Sequence, residues 1–227
     1  MTNAVPMQFP GHLARMKAEI FTASGTFYKK AGVDWYWVLL VGGGGGGGGG
    51  GANYGGGGGG GGECKWGPVY MTSDSVSITI GAGGTKGVYG SSNPTAGGDS
   101  TFGSLLTAHA GGAGNNSKSD QAAGGVGGGP YNFSNLFGSC GGGNGGSGGT
   151  SPGHGGHCYC IGGRCSGSNC GGGGGSSFGR GGNGGDGSGG DNGDNAEGYG
   201  GGGGGGGKGN TSGGNGYQGY CIVFWYE

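Results

Sequence analysis

The chain has 227 residues, 80 of them glycine, and a formal net charge of −1. With glycine at about five times its ordinary usage and hydrophobic residues at only 30%, a core of the size usual for a chain of this length is excluded. The balance of 10 basic and 11 acidic residues excludes a highly charged disordered chain and a basic phosphate-binding protein, so no nucleic-acid partner is expected.

In chain order, residues 1–19 are expected to form an attachment segment, with a frayed terminus as the alternative. Its stretch Gly11–Glu19 has the chain's strongest helical propensity. The opening residues MTNAVPMQFPGHLARMKAEI lack the apolar core of a secretory signal, so synthesis in a cytoplasm is expected. Residues 20–22 and 26–28 are predicted as short strands around Ser24-Gly25. Val33–Val41 is β-branched and aromatic, and its run Trp35–Val41 is apolar at every position, as in a strand buried on both faces. Val76–Ile80 alternates apolar and hydroxyl residues, as in a half-buried strand. Tyr220–Tyr226 is a closing strand. The expected fold is all-β, with few or no α-helices. A small antiparallel β module drawn from residues 20–41, 69–80 and 219–227 anchors a bundle drawn from 42–68 and 81–218. Trp35 and Trp37 are expected in that module, at least one of them buried against Val223 and Trp225.

Ten glycines, then Ala52-Asn53-Tyr54, then eight glycines fill residues 42–62. A flexible linker is one alternative. A period of three further on argues for order: Asn144, Ser147 and Thr150; His154 and His157; Arg180, Asn183 and Asp186; Ser188, Asp191, Asp194 and Glu197. Three residues per turn is the repeat of the polyproline II helix, which makes no internal hydrogen bonds. Its N–H and C=O groups must therefore bond to neighbouring segments. Inside a bundle of such helices every residue must be glycine. At its edge one polar residue per turn can face water. At about 3.1 Å per residue the first run travels away from the module, turns at Asn53-Tyr54 and returns. A last outward turn near Lys208 should share that far end, remote from Trp225.

Seven cysteines are present, four of them at Cys158, Cys160, Cys165 and Cys170. Their spacing lacks the CxxC pairs of a zinc site, although His154 and His157 lie nearby. Disulfides stapling an exposed loop are the expected use, with no metal. Asp186, Asp191, Asp194 and Glu197 fit an edge helix better than a calcium loop. No nucleophile accompanies a histidine in a recognisable motif, so no enzyme and no cofactor are expected. Aromatics inside the glycine region have no core to enter. Those that do not cap the bundle present binding surface. Tyr131, Phe133 and Phe137 form the densest group. Together with Asn53, Tyr54, Tyr159 and Lys208 they are the candidate receptor-binding residues.

Phe21-Thr22-Ala23-Ser24-Gly25-Thr26-Phe27, then Gly32-Val33 and a strand running into Val41-Gly42-Gly43, are followed by Ile78-Thr79-Ile80-Gly81-Ala82-Gly83-Gly84. The chain closes with Gly219-Tyr220-Cys221-Ile222-Val223-Phe224-Trp225. Over residues 20–227 this order of motifs resembles the glycine-rich domain of bacteriophage tail-fibre and tail-tip adhesins. Residues 85–140 and the cysteine cluster depart from the pattern. The resemblance implies a polyglycine II bundle whose loops recognise a bacterial cell-surface protein or glycan from the virion tail tip. It implies contacts with other tail proteins through residues 1–30, allows a homotrimer, and implies no membrane insertion. A structural capping or spacer protein of the virion, and an extracellular glycine-rich signalling module like that of certain receptor tyrosine kinases, are the alternatives.

Overall fold

The computed structural model describes residues 15–117, 123–128, 138–140, 148, 162–164, 169–187 and 190–227. Among these residues there is no helix. The strands are β1 (Met16–Phe21), β2 (Gly25–Tyr28), β3 (Trp35–Val41), β4 (Cys64–Tyr70), β5 (Ser75–Thr79), β6 (Ser100–Phe102), β7 (Leu106–Ala108), β8 (Gly138–Cys140), β9 (Phe178–Arg180), β10 (Glu197–Tyr199) and β11 (Tyr220–Tyr226). They make a five-stranded sheet, β1-β11-β3-β4-β8, a four-stranded sheet, β2-β5-β6-β7, and the pair β10-β9. Every pairing between named strands is antiparallel.

The two larger sheets enclose the hydrophobic core. Tyr36, Val38 and Leu40 of β3, Val69 of β4 and Cys221, Val223 and Trp225 of β11 meet Phe27, Ile78, Phe102, Leu106 and Ala108. Phe27 is its hub, with ring centroids 5.1 Å from Tyr36, 5.9 Å from Trp225 and 6.1 Å from Phe102. Offset and edge contacts of this kind add to the burial of aromatic area. The Lys30 ammonium lies 4.9 Å from the Phe27 ring centre and 5.0 Å from that of Trp225.

This arrangement corrects the reading of β3. The strand alternates, and Tyr36 rather than either tryptophan takes the inward place; Trp35 is 61% and Trp37 52% exposed. The strand period of two puts both tryptophans on one face, and it is the outer one. The buried tryptophan is Trp225. Met16–Glu19 is strand rather than helix, because pairing with β11 (Met16↔Tyr226 to Glu19↔Val223) overrides local propensity. The β module also gains Cys64–Tyr70, β6 and β7.

Beyond the module, chain segments run side by side with hydrogen bonds that change partner at each residue and return to the same neighbour every third residue. Residues 42–51 form the centre. N–H groups of Gly42, Gly45 and Gly48 donate to the carbonyls of Glu63, Gly60 and Gly57; those of Gly43 and Gly46 to Gly98 and Thr95; those of Gly44 and Gly47 to Tyr217 and Gly214. Carbonyls of Gly43, Gly46 and Gly49 accept from Gly111, Gly114 and Ser117; those of Gly44 and Gly47 from Gly84 and Gly87; those of Gly45, Gly48 and Gly51 from Gly203, Gly206 and Gly209. These bonds measure 2.8–2.9 Å. The central segment thus donates to three antiparallel neighbours and accepts from three parallel ones, the hydrogen bonding of a packed polyglycine II helix. Segments 55–62 and 201–207 also bond to several neighbours in turn, but in a mixed arrangement. Gly203 and Gly206 donate to the parallel run at Gly45 and Gly48, whereas Gly202 and Gly205 donate to the antiparallel run at Gly174 and Gly171.

The reason for unbroken glycine is spatial. At every position of 42–51, 55–62 and 201–207, a Cβ would come within 3.0 Å of a neighbouring segment. None of these residues has a positive φ, so the runs use glycine for its missing side chain rather than for its left-handed freedom. Edge segments carry polar residues, and these do more than face water. The Oδ1 atoms of Asn192, Asn195 and Asn215 accept from the backbone N–H groups of Ser212 (2.9 Å), Asn215 (2.8 Å) and Lys86 (2.9 Å). Each amide carbonyl takes the place of a backbone carbonyl that an outermost helix lacks.

Candidate functional site

Hydrogen bonds also define the pole of the bundle remote from the sheets. The last three N–H groups of the central helix have no further glycine helix to bond. Asn116 Oδ1 accepts from Gly49 at 2.7 Å, Thr211 Oγ1 from Gly50 at 3.2 Å, and the Tyr54 carbonyl from Gly51 at 2.8 Å. The last bond closes the turn Ala52-Asn53-Tyr54. Thr211 is buried, and its hydroxyl also donates to the Gly207 carbonyl. Unsatisfied buried amides are expensive, so these side chains are as necessary to the helix end as a cap is to an α-helix.

Three turns meet around these caps. Gly209 donates to the Gly51 carbonyl at 2.8 Å, which places the turn Lys208-Gly209-Asn210 beside Ala52–Tyr54. Gly209 has φ 118°, a conformation open to glycine, and Asn210 follows at φ 61°. The third turn is Val88–Ser92, closed by Val88 N–H to the Ser92 carbonyl at 2.9 Å and linked through Tyr89 N–H to the Thr211 carbonyl at 3.3 Å. Asn116 Nδ2 reaches back to the Ser92 carbonyl at 2.8 Å. Asn53, Tyr89, Lys208 and Asn210 are exposed and Tyr54 is half-buried. Asn169 and Cys170 pack on Gly55, directly behind Tyr54. Cys170 is buried and disulfide-bonded.

Of the sequence-derived candidates, Asn53, Tyr54, Lys208 and Cys170 therefore share one pole. Tyr131, Phe133, Phe137, Tyr159, Cys158, Cys160 and Cys165 lie outside the described residues. Trp225 belongs to the opposite pole, where β1 and β11 pair Lys17↔Trp225 and Arg15 N–H donates to the Glu227 carbonyl at 2.8 Å. Tyr89, Asn116 and Thr211 join the pole without belonging to the candidate receptor-binding set. The turn signature Tyr89-Gly90-Ser91-Ser92-Asn93-Pro94 could have indicated the first. The two caps depend on contacts across 67 and 161 residues.

A second concavity lies along the flank of the bundle. Arg164, Arg180, Asn183, Asp186, Asp191, Asn192 and Asp194 line a groove of about 470 Å³. Its charges are partly engaged: Arg180 donates to Asn183 Oδ1 at 2.8 Å and lies 3.6 Å from Glu197, and Asn183 donates to Asp194 at 3.1 Å. The groove offers paired donors and acceptors to a polar ligand.

A glycine-rich domain model matches residues 22–226. The chain belongs to the glycine-rich domain family. The match begins between β1 and β2 and ends with the last residue of β11, so it takes in strands of both larger sheets and the bundle together. No curated protein matches the chain.

Proposed function

We propose that this glycine-rich domain is a non-enzymatic adhesin of a bacteriophage tail fibre or tail tip, which recognises a bacterial cell-surface protein or glycan. The observation that carries the reading is the pole where Asn53, Tyr54, Tyr89, Lys208 and Asn210 gather on turns fixed by Asn116 and Thr211. An aromatic and hydrogen-bonding surface held on a rigid scaffold binds with little loss of conformational entropy. The first run places this surface roughly 30 Å from the sheets, at about 3.1 Å per residue. The opposite pole, where residue 15 enters β1, is the side for contacts with other tail proteins through residues 1–30. On this reading the protein acts on the virion tail tip after synthesis in the host cytoplasm.

The test is adsorption of the purified protein to candidate cells and to receptor-deficient mutants of the same strain. Binding should be lost on the mutants. The double variant Tyr54→Ala/Lys208→Ala should weaken binding by about tenfold or more, the effect of losing roughly 1.4 kcal/mol, while thermal stability stays unchanged. Undiminished adsorption by a folded double variant would favour a capping or spacer role instead.

A further inference from the structure

We infer that the outer face of the five-stranded sheet is a dimer interface, occupied by the same face of a second copy of this chain. A free-standing sandwich normally presents polar residues on the outer face of an antiparallel sheet. Here Met16 (61% exposed), Ile20 (59%), Trp35 (61%), Trp37 (52%), Tyr70 (48%) and Tyr226 (58%) occupy it. Strand register makes the six one surface. Met16 stands opposite Tyr226, Ile20 opposite Ile222, Ile222 opposite Leu39, Phe224 opposite Trp37, and Trp35 opposite Tyr70. The Trp35 and Tyr70 rings lie 5.2 Å apart.

Charge is segregated from this face by parity. In β1 the charged residues Lys17 and Glu19 alternate with Met16, Ala18 and Ile20, and they pair away from it with Glu227 (3.0 Å) and Lys30 (2.9 Å). In β4 Lys65 alternates with Trp66 and donates to the Thr107 carbonyl on the core side at 3.3 Å. The occupant must therefore be uncharged and apolar, and the same face of a second copy meets that description.

Size supports this occupant. An aromatic side chain offers about 150–250 Å², so the half-exposed set, with Ile222, Phe224 and Pro68 between its members, approaches the roughly 800 Å² that each partner contributes to a stable interface. It exceeds the patch of about 300–600 Å² found on ordinary monomers. Two sheet faces can stack about 10 Å apart around a two-fold axis, each contact being repeated reciprocally by the symmetry. A trimer would need a second, different complementary surface on each copy.

Sedimentation analysis of the full chain at micromolar concentration tests the inference. The expected mass is twice 21.3 kDa. Trp37→Lys should raise the dissociation constant by about a hundredfold, the scale of a buried tryptophan anchor. The milder pair Trp35→Ser/Tyr70→Ser should act in the same direction, with the dissociated chain still unfolding in one cooperative step. A monomeric or trimeric wild type would overturn the proposal, as would a dimer that survives both variants. In a monomer, acrylamide quenching of Trp35 and Trp37 would show whether the chain's own residues cover the face. Loss of dimerisation with adsorption intact, or the reverse, separates this proposal from the adhesion reading.

Discussion

Gly59 sits inside the bundle with its N–H bonded to Gly203 and its carbonyl accepting from Gly174. An added Cβ there would fall within 3.0 Å of the Gly45 carbonyl group. The neighbouring segment is itself surrounded and cannot retreat without breaking its own bonds. Gly59→Ala should therefore destabilise by about 3 kcal/mol or more, the upper end of overpacking penalties. Edge position Ala82, exposed and already carrying a Cβ, should accept serine within about 0.5 kcal/mol. Urea denaturation of both variants checks the contrast. Cys221 provides a second test at this scale. It is fully buried, and burial pushes its thiol up to about 12. The ordinary thiol value is about 8.5, so the folded state holds the proton more tightly. The resulting stability is complete below about pH 8.5 and declines as the pH rises toward the folded value. In the native protein at pH 8 an alkylating reagent should leave Cys221 unmodified, with labelling appearing only on unfolding.

β3 shows how far an element could be read before its neighbours were known. Its existence and extent were legible, because a β-branched and aromatic run bounded by Asp34 and the first glycines has no other fate. Its orientation was not. When every residue from Trp35 to Val41 is apolar, hydrophobicity cannot say which parity faces in, and the answer depends on β11 and on the second sheet. Trp225→Ala should cost about 3–5 kcal/mol as a large-to-small core change, whereas Trp35→Ser should change monomer stability by less than about 1 kcal/mol. Chemical denaturation of the dissociated protein distinguishes the two. β4 was only partly anticipated because Gly67 and Pro68 interrupt its pattern, and Pro68 is tolerated opposite Trp37 within a sheet otherwise dominated by side-chain packing. The glycine runs were legible in full, since a segment without side chains can be interior only if its neighbours come as close as backbone allows. The asparagine bridges of the edge were not, because each joins segments about 20 residues apart or, from Asn215 to Lys86, 129 apart. For the candidate site, the turns at Asn53-Tyr54 and Lys208 could be placed by counting helix length. The Asn116 and Thr211 caps could not.

At the scale of the molecule, two kinds of cohesion meet at one seam. The sheets hold by aromatic burial around Phe27, and the bundle holds by backbone hydrogen bonds between segments that bury almost no apolar side chain. Ser100 joins them, donating to the Val41 carbonyl at 2.7 Å and accepting from Gly81 at 2.9 Å, while Glu63 accepts from His109 at 2.9 Å on the other side of the first glycine pair. Each glycine ordered loses backbone entropy of at least about 1–2 kcal/mol, against a net hydrogen-bond contribution of roughly 1 kcal/mol. The bundle therefore depends on the sheets to fix its first residues, and folding should be cooperative across the seam. The central claim is that the glycine runs are an ordered interior that carries the turns at its far pole. Native-state amide hydrogen exchange on residues 42–51, 55–62 and 201–207 tests it most directly. The account predicts protection close to that of β3 and β11, lost in a single global step as denaturant is added. Exchange of these glycines at the rates of an unstructured linker, with the sheets still protected, would contradict it.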